Sequence, residues 1–428
     1  MKNRTNQTYP RITKNRLKAA SAFVGLVASG GMAVHAQTDT NAITALQQQN
    51  QVLQQRLDAL EDLAKKEGIM PSGSTPKFVS SMQQMTISGF VQASYFYNTQ
   101  HPSSGLSDGY LWNTKDNSFS LNKLKLTVAG APLATDKWDA TYRASLMFGD
   151  DAPELNTGGA TGLGGVNTSF NDLREAYLEV NVPIGTGLDI KAGELISLLN
   201  WESGDGGAAN PNFSQGNQWW FTGNGPSAGI QLGYNFTDKI GLTLRVDNGL
   251  YQGPVDNNSG KAFSGSLNFK PTADLWFNLI GWYDSQPGGT VVSGLSSIGG
   301  YQFTKKLGTG YEVDYFNFNS PGNASDLWSV GGWAWYDFTD KIDLALRADY
   351  IGSPDPALGF GPAVRPGAGI APEVIGSYLG SLTLTLNLKP TPNIKVQPEI
   401  RYDYTGIKAG LNGRKDRFTI GCGASYLF

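Results

Sequence analysis

From Met85 to the last residue, apolar side chains recur at every second position in runs of about ten residues, the period of a β-strand with one greasy face. The run 394–404 shows the pattern: Ile394, Val396, Pro398, Ile400, Tyr402 and Tyr404 alternate with Lys395, Gln397, Glu399, Arg401 and Asp403. One such strand would suit a soluble sandwich equally well. The set of them does not. About sixteen candidates begin near Met85, Phe119, Trp138, Asn171, Leu188, Ser227, Ile240, Ala262, Leu275, Leu295, Leu307, Leu327, Ile342, Tyr378, Ile394 and Arg417. Their connections alternate short and long, which predicts an all-β chain, a transmembrane antiparallel β-barrel with short turns in the periplasm and long loops outside. An even count returns both ends of the barrel to the periplasm.

The short turns resemble one another, as in Phe236-Thr237-Asp238-Lys239 and Phe338-Thr339-Asp340-Lys341. The hairpin is therefore the repeated unit, and no solenoid period is present. Pro398 removes a ladder donor inside its strand and predicts a bulge or weak pairing there.

Upstream the period changes. Ile43, Leu46, Asn50, Leu53, Leu57 and Leu60 recur in steps of three and four, a heptad seam with polar Asn50 as a register device. A short self-associating coiled coil is expected, the alternative being a lone amphipathic helix on another surface. Gly68 and the stretch Met70-Pro71-Ser72-Gly73-Ser74 end it as a linker. Further upstream, six Lys and Arg without an acid precede the small and apolar run 19–33 and the ending Val34-His35-Ala36, the order of a cleaved secretory signal. The expected division is 1–36 signal peptide, 37–84 periplasmic coiled-coil helix and linker, and 85–428 outer-membrane β-barrel.

Composition agrees with a barrel. The 428 residues hold 54 glycines, 11% aromatic and 16% charged residues, and a mean hydropathy of −0.27 excludes a bundle of apolar helices. Without residues 1–36 the chain carries 27 basic and 36 acidic groups, a net charge of −9. There is no basic stripe for nucleic acid. The lone Cys422 allows no internal disulfide.

Barrels can also be hydrolases, so catalytic groups matter. Gly225-Pro226-Ser227-Ala228-Gly229 matches a nucleophile elbow but opens a strand where a strand-to-helix turn is required, and His101 is the one base left outside the signal. The chain is read as not an enzyme. No His or Cys spacing suits a metal, and no cofactor is expected. Asp150, Asp151 and Glu154 are better read as a solvated loop tip than as a calcium site. The glycine run at 162–165 lacks the following helix that a phosphate site requires.

Strand parity sends Lys123, Lys125, Arg143, Glu175, Glu179, Lys191, Arg245, Glu312, Asp314, Arg347, Asp349, Lys395, Glu399, Arg401 and Asp403 inward. On the lipid face an Arg or Lys would cost about 2–4 kcal/mol at midplane, so a wet lumen is expected. The longest loop, 197–224, carries Glu202 and Asp205 and is compact enough to fold inside. Opposite Arg143, Arg245, Arg347 and Arg401 these acids would set a transverse field at a constriction that Lys123, Lys125, Glu175 and Glu179 also line. The alternative is an Arg–Asp ladder that stiffens the wall. Trp276, Trp282, Trp333 and Trp335 also point inward, a possible stacking track for sugars.

The chain ends Tyr426-Leu427-Phe428 after alternating apolar residues, which looks like the signal read by the barrel-assembly machinery. Cys422 then faces lipid. The barrel region resembles the OmpL-like family of β-barrel porins at Phe148-Gly149-Asp150-Asp151-Ala152, at Arg174-Glu175-Ala176-Tyr177-Leu178-Glu179-Val180, at Ile190-Lys191-Ala192-Gly193-Glu194 and along 221–248. The heptad is similar to periplasmic coiled coils of some trimeric sugar and phosphate porins, which implies a homotrimer. The resemblance implies an outer-membrane porin for passive diffusion of ions and small hydrophilic solutes. Two rival readings are a plugged structural or adhesive barrel touching the cell wall through its helix, and a saccharide-preferring channel.

Overall fold

A computed structural model describes residues 85–107, 110, 112–156, 172–222, 226–250, 256, 258–352, 378–406 and 411–428. The expected signal peptide 1–36 and the helix with Ile43, Leu46, Asn50, Leu53, Leu57 and Leu60 lie outside these residues.

Sixteen antiparallel strands form a closed barrel. They are β1 (Thr86–Asn98), β2 (Ser118–Ala129), β3 (Asp139–Phe148), β4 (Leu173–Val182), β5 (Leu188–Leu195), β6 (Ser227–Asn235), β7 (Ile240–Asp247), β8 (Ala262–Phe269), β9 (Leu275–Ser285), β10 (Val291–Gln302), β11 (Leu307–Ser320), β12 (Asn323–Thr339), β13 (Ile342–Gly352), β14 (Tyr378–Thr391), β15 (Ile394–Thr405) and β16 (Asp416–Leu427). Among the described residues, two short α-helices, α1 (Ala152–Leu155) and α2 (Asn217–Thr222), sit in outer loops.

Each strand pairs with its neighbours in sequence, and β1 closes on β16 in register from Phe90↔Leu427 to Asn98↔Thr419. Phe428 completes that seam, because its N–H and C=O bond the backbone of Gly89 at 3.0 and 2.9 Å. Closure removes both sheet edges, which have no water to satisfy them in a bilayer.

The alternation now has a physical meaning. Outward positions such as Leu244, Leu295, Leu382 and Ile420 are exposed, whereas inward polar partners such as Arg245, Ser296, Thr383 and Thr419 are buried. Edge-to-face pairs Tyr234–Phe236, Tyr301–Phe303 and Tyr336–Phe338 mark the turn end of the wall, an aromatic belt of the kind that sits at membrane interfaces. Cys422 is exposed on the outer face, as expected. In β2 the partners jump from Gln92↔Lys123 to Ala93↔Leu121, so Asn122 is the extra residue of a bulge. The bulge lets Lys123 and Lys125 face inward although Phe119 and Leu121 face out.

At Pro398 the β14 ladder lapses: paired positions run as far as Thr385↔Glu399 and resume at Leu388↔Val396.

The expected alternation of short and long connections fails at two outer ends. β9 and β10 are joined by residues 286–290, and β11 and β12 by Pro321-Gly322 alone. Pro fixes the first turn position and Gly322, at φ 82°, takes the second, a type II signature. These hairpins extend past the apolar belt, so their outward residues are polar: Asn317 and the Tyr315 hydroxyl both donate to Asp326 at 2.8 Å. Strands β10 and β12 consequently begin at Val291 and Asn323, four residues before the apolar pattern does.

Candidate functional site

The described part of the connection between β5 and β6, residues 196–222, folds into the barrel. Its backbone is irregular, so inside the wall every N–H and C=O needs a partner. The inward charges supply them. Glu312 accepts from the Trp201 N–H at 2.6 Å and from Asn200 at 3.2 Å. Glu399 accepts the N–H groups of Phe213 and Ser214 at 2.8 and 3.2 Å and the Thr385 hydroxyl at 2.7 Å. Lys395 donates to the carbonyls of Gly207 and Asn210 at 2.8 and 2.6 Å. Arg401 donates to the Gln215 carbonyl at 2.7 Å and to Asn217 at 2.8 Å. From α2, Gln218 donates to Asp314 and Ser329 at 2.8 and 2.9 Å.

At the centre of this seam, Glu202 of the loop pairs with Arg347 of β13 at 2.9 Å. The two side chains are 1% and 0% exposed. Gly216 N–H and Trp333 Nε1 also donate to Glu202, at 2.7 and 3.2 Å. Glu202, Arg347 and Arg401 were expected to line the constriction. They are instead sealed between loop and wall, because an irregular segment lying on β11–β16 consumes the charges beneath it.

The other side of the lumen differs. Asp205 of the loop meets Lys125 of β2 at 2.9 Å and keeps 23% of its side chain exposed. Burial would raise its carboxyl, but Lys125, helped by Arg174 and Lys123, outweighs that and holds it below the ordinary carboxylate range. Arg143 of β3 pairs with Glu175 of β4 at 2.8 Å, is 38% exposed, and lies within electrostatic reach of Asp205. Lys191 bonds Glu179 at 3.2 Å over the Tyr177 ring. Arg245 does not face the loop acids: it donates to Gln231 and to the Ile196 carbonyl. Lys123, buried, faces Asp151 at 3.7 Å. Of the expected field, the structure brings together Asp205, Lys125 and Arg143.

A second inward loop escaped sequence reasoning. Tyr110, between β1 and β2, donates its hydroxyl to Asp403 at 2.5 Å, with its ring stacked on the guanidinium groups of Arg401 and Arg417 at 4.4 and 4.1 Å. Burial, more than Asp403, raises its hydroxyl above the usual tyrosine range. Nearby Trp112 meets Trp219 edge to face at 4.5 Å. Two rings in a polar, glycine-containing loop were the available signal.

The aromatic track shrinks as well. Trp282 is buried against Phe316, and Trp333 is buried in a stack with Trp201 at 4.5 Å. Trp276 and Trp335 remain half-buried. The hydrolase residues are not brought together: Ser227 is fully buried, and His101 is exposed against the Tyr97 hydroxyl at 2.7 Å. Asp150 pairs with Lys115 at 2.6 Å, and Asp151 accepts from the Asn113 N–H at 3.0 Å. Among the described residues no cluster of His, Cys, Asp or Glu suits a metal ion. The Glu154 side chain and the 162–165 run lie outside the description.

Residues 84–428 match the family described as "Putative beta-barrel porin-2, OmpL-like". No curated protein matches the chain. Among solved structures, the fold is similar to the anion-selective porin from Comamonas acidovorans, with TM-score 0.53 and 11% identity over 80% of this chain and 99% of that one. It is also similar to OprB of Pseudomonas putida, with TM-score 0.53 and 13% identity over 83% and 96%. The trimer form of OmpT of Vibrio cholerae gives TM-score 0.51 and 11% identity over 80% and 99%.

Proposed function

The chain belongs to the OmpL-like beta-barrel porin-2 family, and on that premise we propose that it is a passive outer-membrane channel whose aperture lies between the folded-in loop and the β2–β5 wall. The observation that carries this reading is the contrast in exposure: Glu202 and Arg347 are sealed at 1% and 0%, whereas Asp205 and Arg143 keep 23% and 38% of their side chains accessible. Their partners Lys125 and Glu175 are buried at 9% and 4%, so the accessible charges are Asp205, held on the loop against Lys125, and Arg143 of the wall, and these impose a transverse field on hydrated ions. Glu175, Glu179 and Lys191 lie along the same wall. Replacing Arg143 and Lys125 together by Gln should move the zero-current potential in a salt gradient toward cations, with a severalfold change in permeability ratio. An unchanged potential would place the solute path elsewhere.

Two half-buried rings favour a second reading of the solute. Trp276 and Trp335 offer partly accessible faces on which a sugar can stack. If they do so, Trp276→Ala with Trp335→Ala slows liposome swelling in maltose more than in a non-sugar of equal size. Equal slowing, or none, refutes a saccharide preference.

The finer assignments rest on sequence and resemblance. The heptad before residue 85 supports a homotrimer and a helix held in the periplasm, where it could touch the cell wall. The 1–36 segment supports export by a signal peptide. The terminal Phe428, seated in the closing seam, supports recognition by the barrel-assembly machinery. The burial of so many inward charges makes a plugged, structural barrel the chief rival to an open channel, and conduction separates the two.

A further inference from the structure

The loop that narrows the lumen is keyed into the wall at glycines. Among the inward-facing glycines of the wall, Gly310 of β11, Gly331 of β12 and Gly423 of β16 lie beneath the loop. Over each lies one anchor of the folded-in loop. A Cβ at Gly310 would fall within the indole of Trp201, one at Gly331 on the amide oxygen of Gln218, and one at Gly423 within the ring of Phe213. Phe213 is 2% exposed and stacks on Phe96 of β1 at 5.6 Å, so its ring has no free side to turn to. Trp201 is pinned between Gly310 and Trp333.

We propose that Gly310 and Gly423, the two sockets that hold rings, are the positioning residues that set the calibre of the channel. Each is a socket whose depth fixes how far the loop recedes from the opposite wall. The inference rests on the passive-channel reading. Polar anchors alone do not determine that distance, because Glu202, Glu399 and Arg401 bond the loop through flexible side chains. A ring lying on a bare backbone does determine it, since packed interiors yield little before they transmit displacement.

The direction follows from the geometry. A methyl group at Gly423 pushes the Phe213 ring about 1–2 Å to recover van der Waals distance. Gly423 and Phe96 block the ring on the wall side and Gly207 of the same loop lies against it, so the displacement passes to the loop, which advances and narrows the channel.

The test is the single-channel conductance of the refolded full chain in a planar bilayer. Gly423→Ala should conduct at least about 1.3-fold less than the unaltered chain, and adding Phe213→Leu should restore the conductance. Gly332→Ala is the control, because Gly332 neighbours Gly331 on β12 but has nothing within 4 Å of a built Cβ. It should conduct like the unaltered chain. Heat-modifiable migration on a denaturing gel reports folding of each variant, and if Gly423→Ala does not fold, Gly310→Ala decides in its place, with Trp201→Leu as its rescue. An open unaltered channel with unchanged conductance in the folded socket variant, or no rescue by Phe213→Leu, overturns the inference alone. A silent unaltered chain overturns the passive-channel reading and the inference with it.

Discussion

Replacing Glu202 by alanine is expected to enlarge the open channel and to destabilise the barrel by about 3–5 kcal/mol, the cost of leaving a buried cation without its partner. Arg347 would lose its carboxylate at a site that is 0% exposed. The loop would lose more than one bond, because Glu202 also accepts the Gly216 N–H and Trp333 Nε1–H. Arg347 can escape its desolvation only by drawing water behind the loop, which detaches the segment from β13. Conductance should therefore rise while the unfolding midpoint falls. Exchanging both partners together, Glu202→Leu with Arg347→Met, should cost less, since no buried ion is left unpaired although the Gly216 and Trp333 N–H groups still lose their acceptor. Single-channel recording and urea unfolding of the folded barrel check the two halves of this expectation. An unchanged midpoint in Glu202→Ala would mean that the pair is hydrated and does not hold the loop.

The second large effect is expected at Asp403. Its carboxylate is shared by Arg401 at 2.8 Å and Arg417 at 3.3 Å and accepts the Tyr110 hydroxyl at 2.5 Å. Asn217 of α2 also reaches it, at 3.3 Å. Asp403→Ala leaves two guanidinium groups beside one phenol ring without that carboxylate, and a loss of about 3–5 kcal/mol follows. It should also release the first outer loop, exposing it to protease in folded vesicle-embedded protein. Tyr110→Phe removes one hydroxyl from the same network and keeps the ring against the cations. Its expected cost is about 1–2 kcal/mol. If the two variants lose equal stability, the carboxylate does not organise the cluster.

The barrel was legible because lipid imposes a simple condition. Every outward position inside the belt must be apolar, so Ile394 to Tyr404 and Ile342 to Tyr350 declare their faces without any partner. The condition lapses beyond the membrane, and so the hairpins at 286–290 and 321–322 read as long polar loops. Parity also placed the inward charges. It could not say what they touch, because Glu312, Arg347, Glu399 and Arg401 meet a loop more than 90 residues away in the chain, as their separations of 111, 145, 186 and 186 residues show. Folding of the loop converted them from groups facing water to groups holding backbone.

Glycine content in a sequence reads as a sign of turns. In the wall it marks sockets for rings, which no local pattern distinguishes from a turn signal. Tyr110 and Trp112 stayed hidden for a similar reason: loop side chains acquire meaning from the surface they land on. Asp205 and Arg143 were legible as charges of opposite sign on facing elements, and their residual exposure is what separates them from Glu202 and Arg347.

The most direct test of the account is single-channel recording of the refolded chain in a planar bilayer with a salt gradient across it. Stepwise open channels with a nonzero reversal potential that Arg143→Gln with Lys125→Gln shifts toward cations are the predicted result. Folded, heat-modifiable protein that inserts into the bilayer without conducting would contradict it and identify a barrel sealed by its own loops.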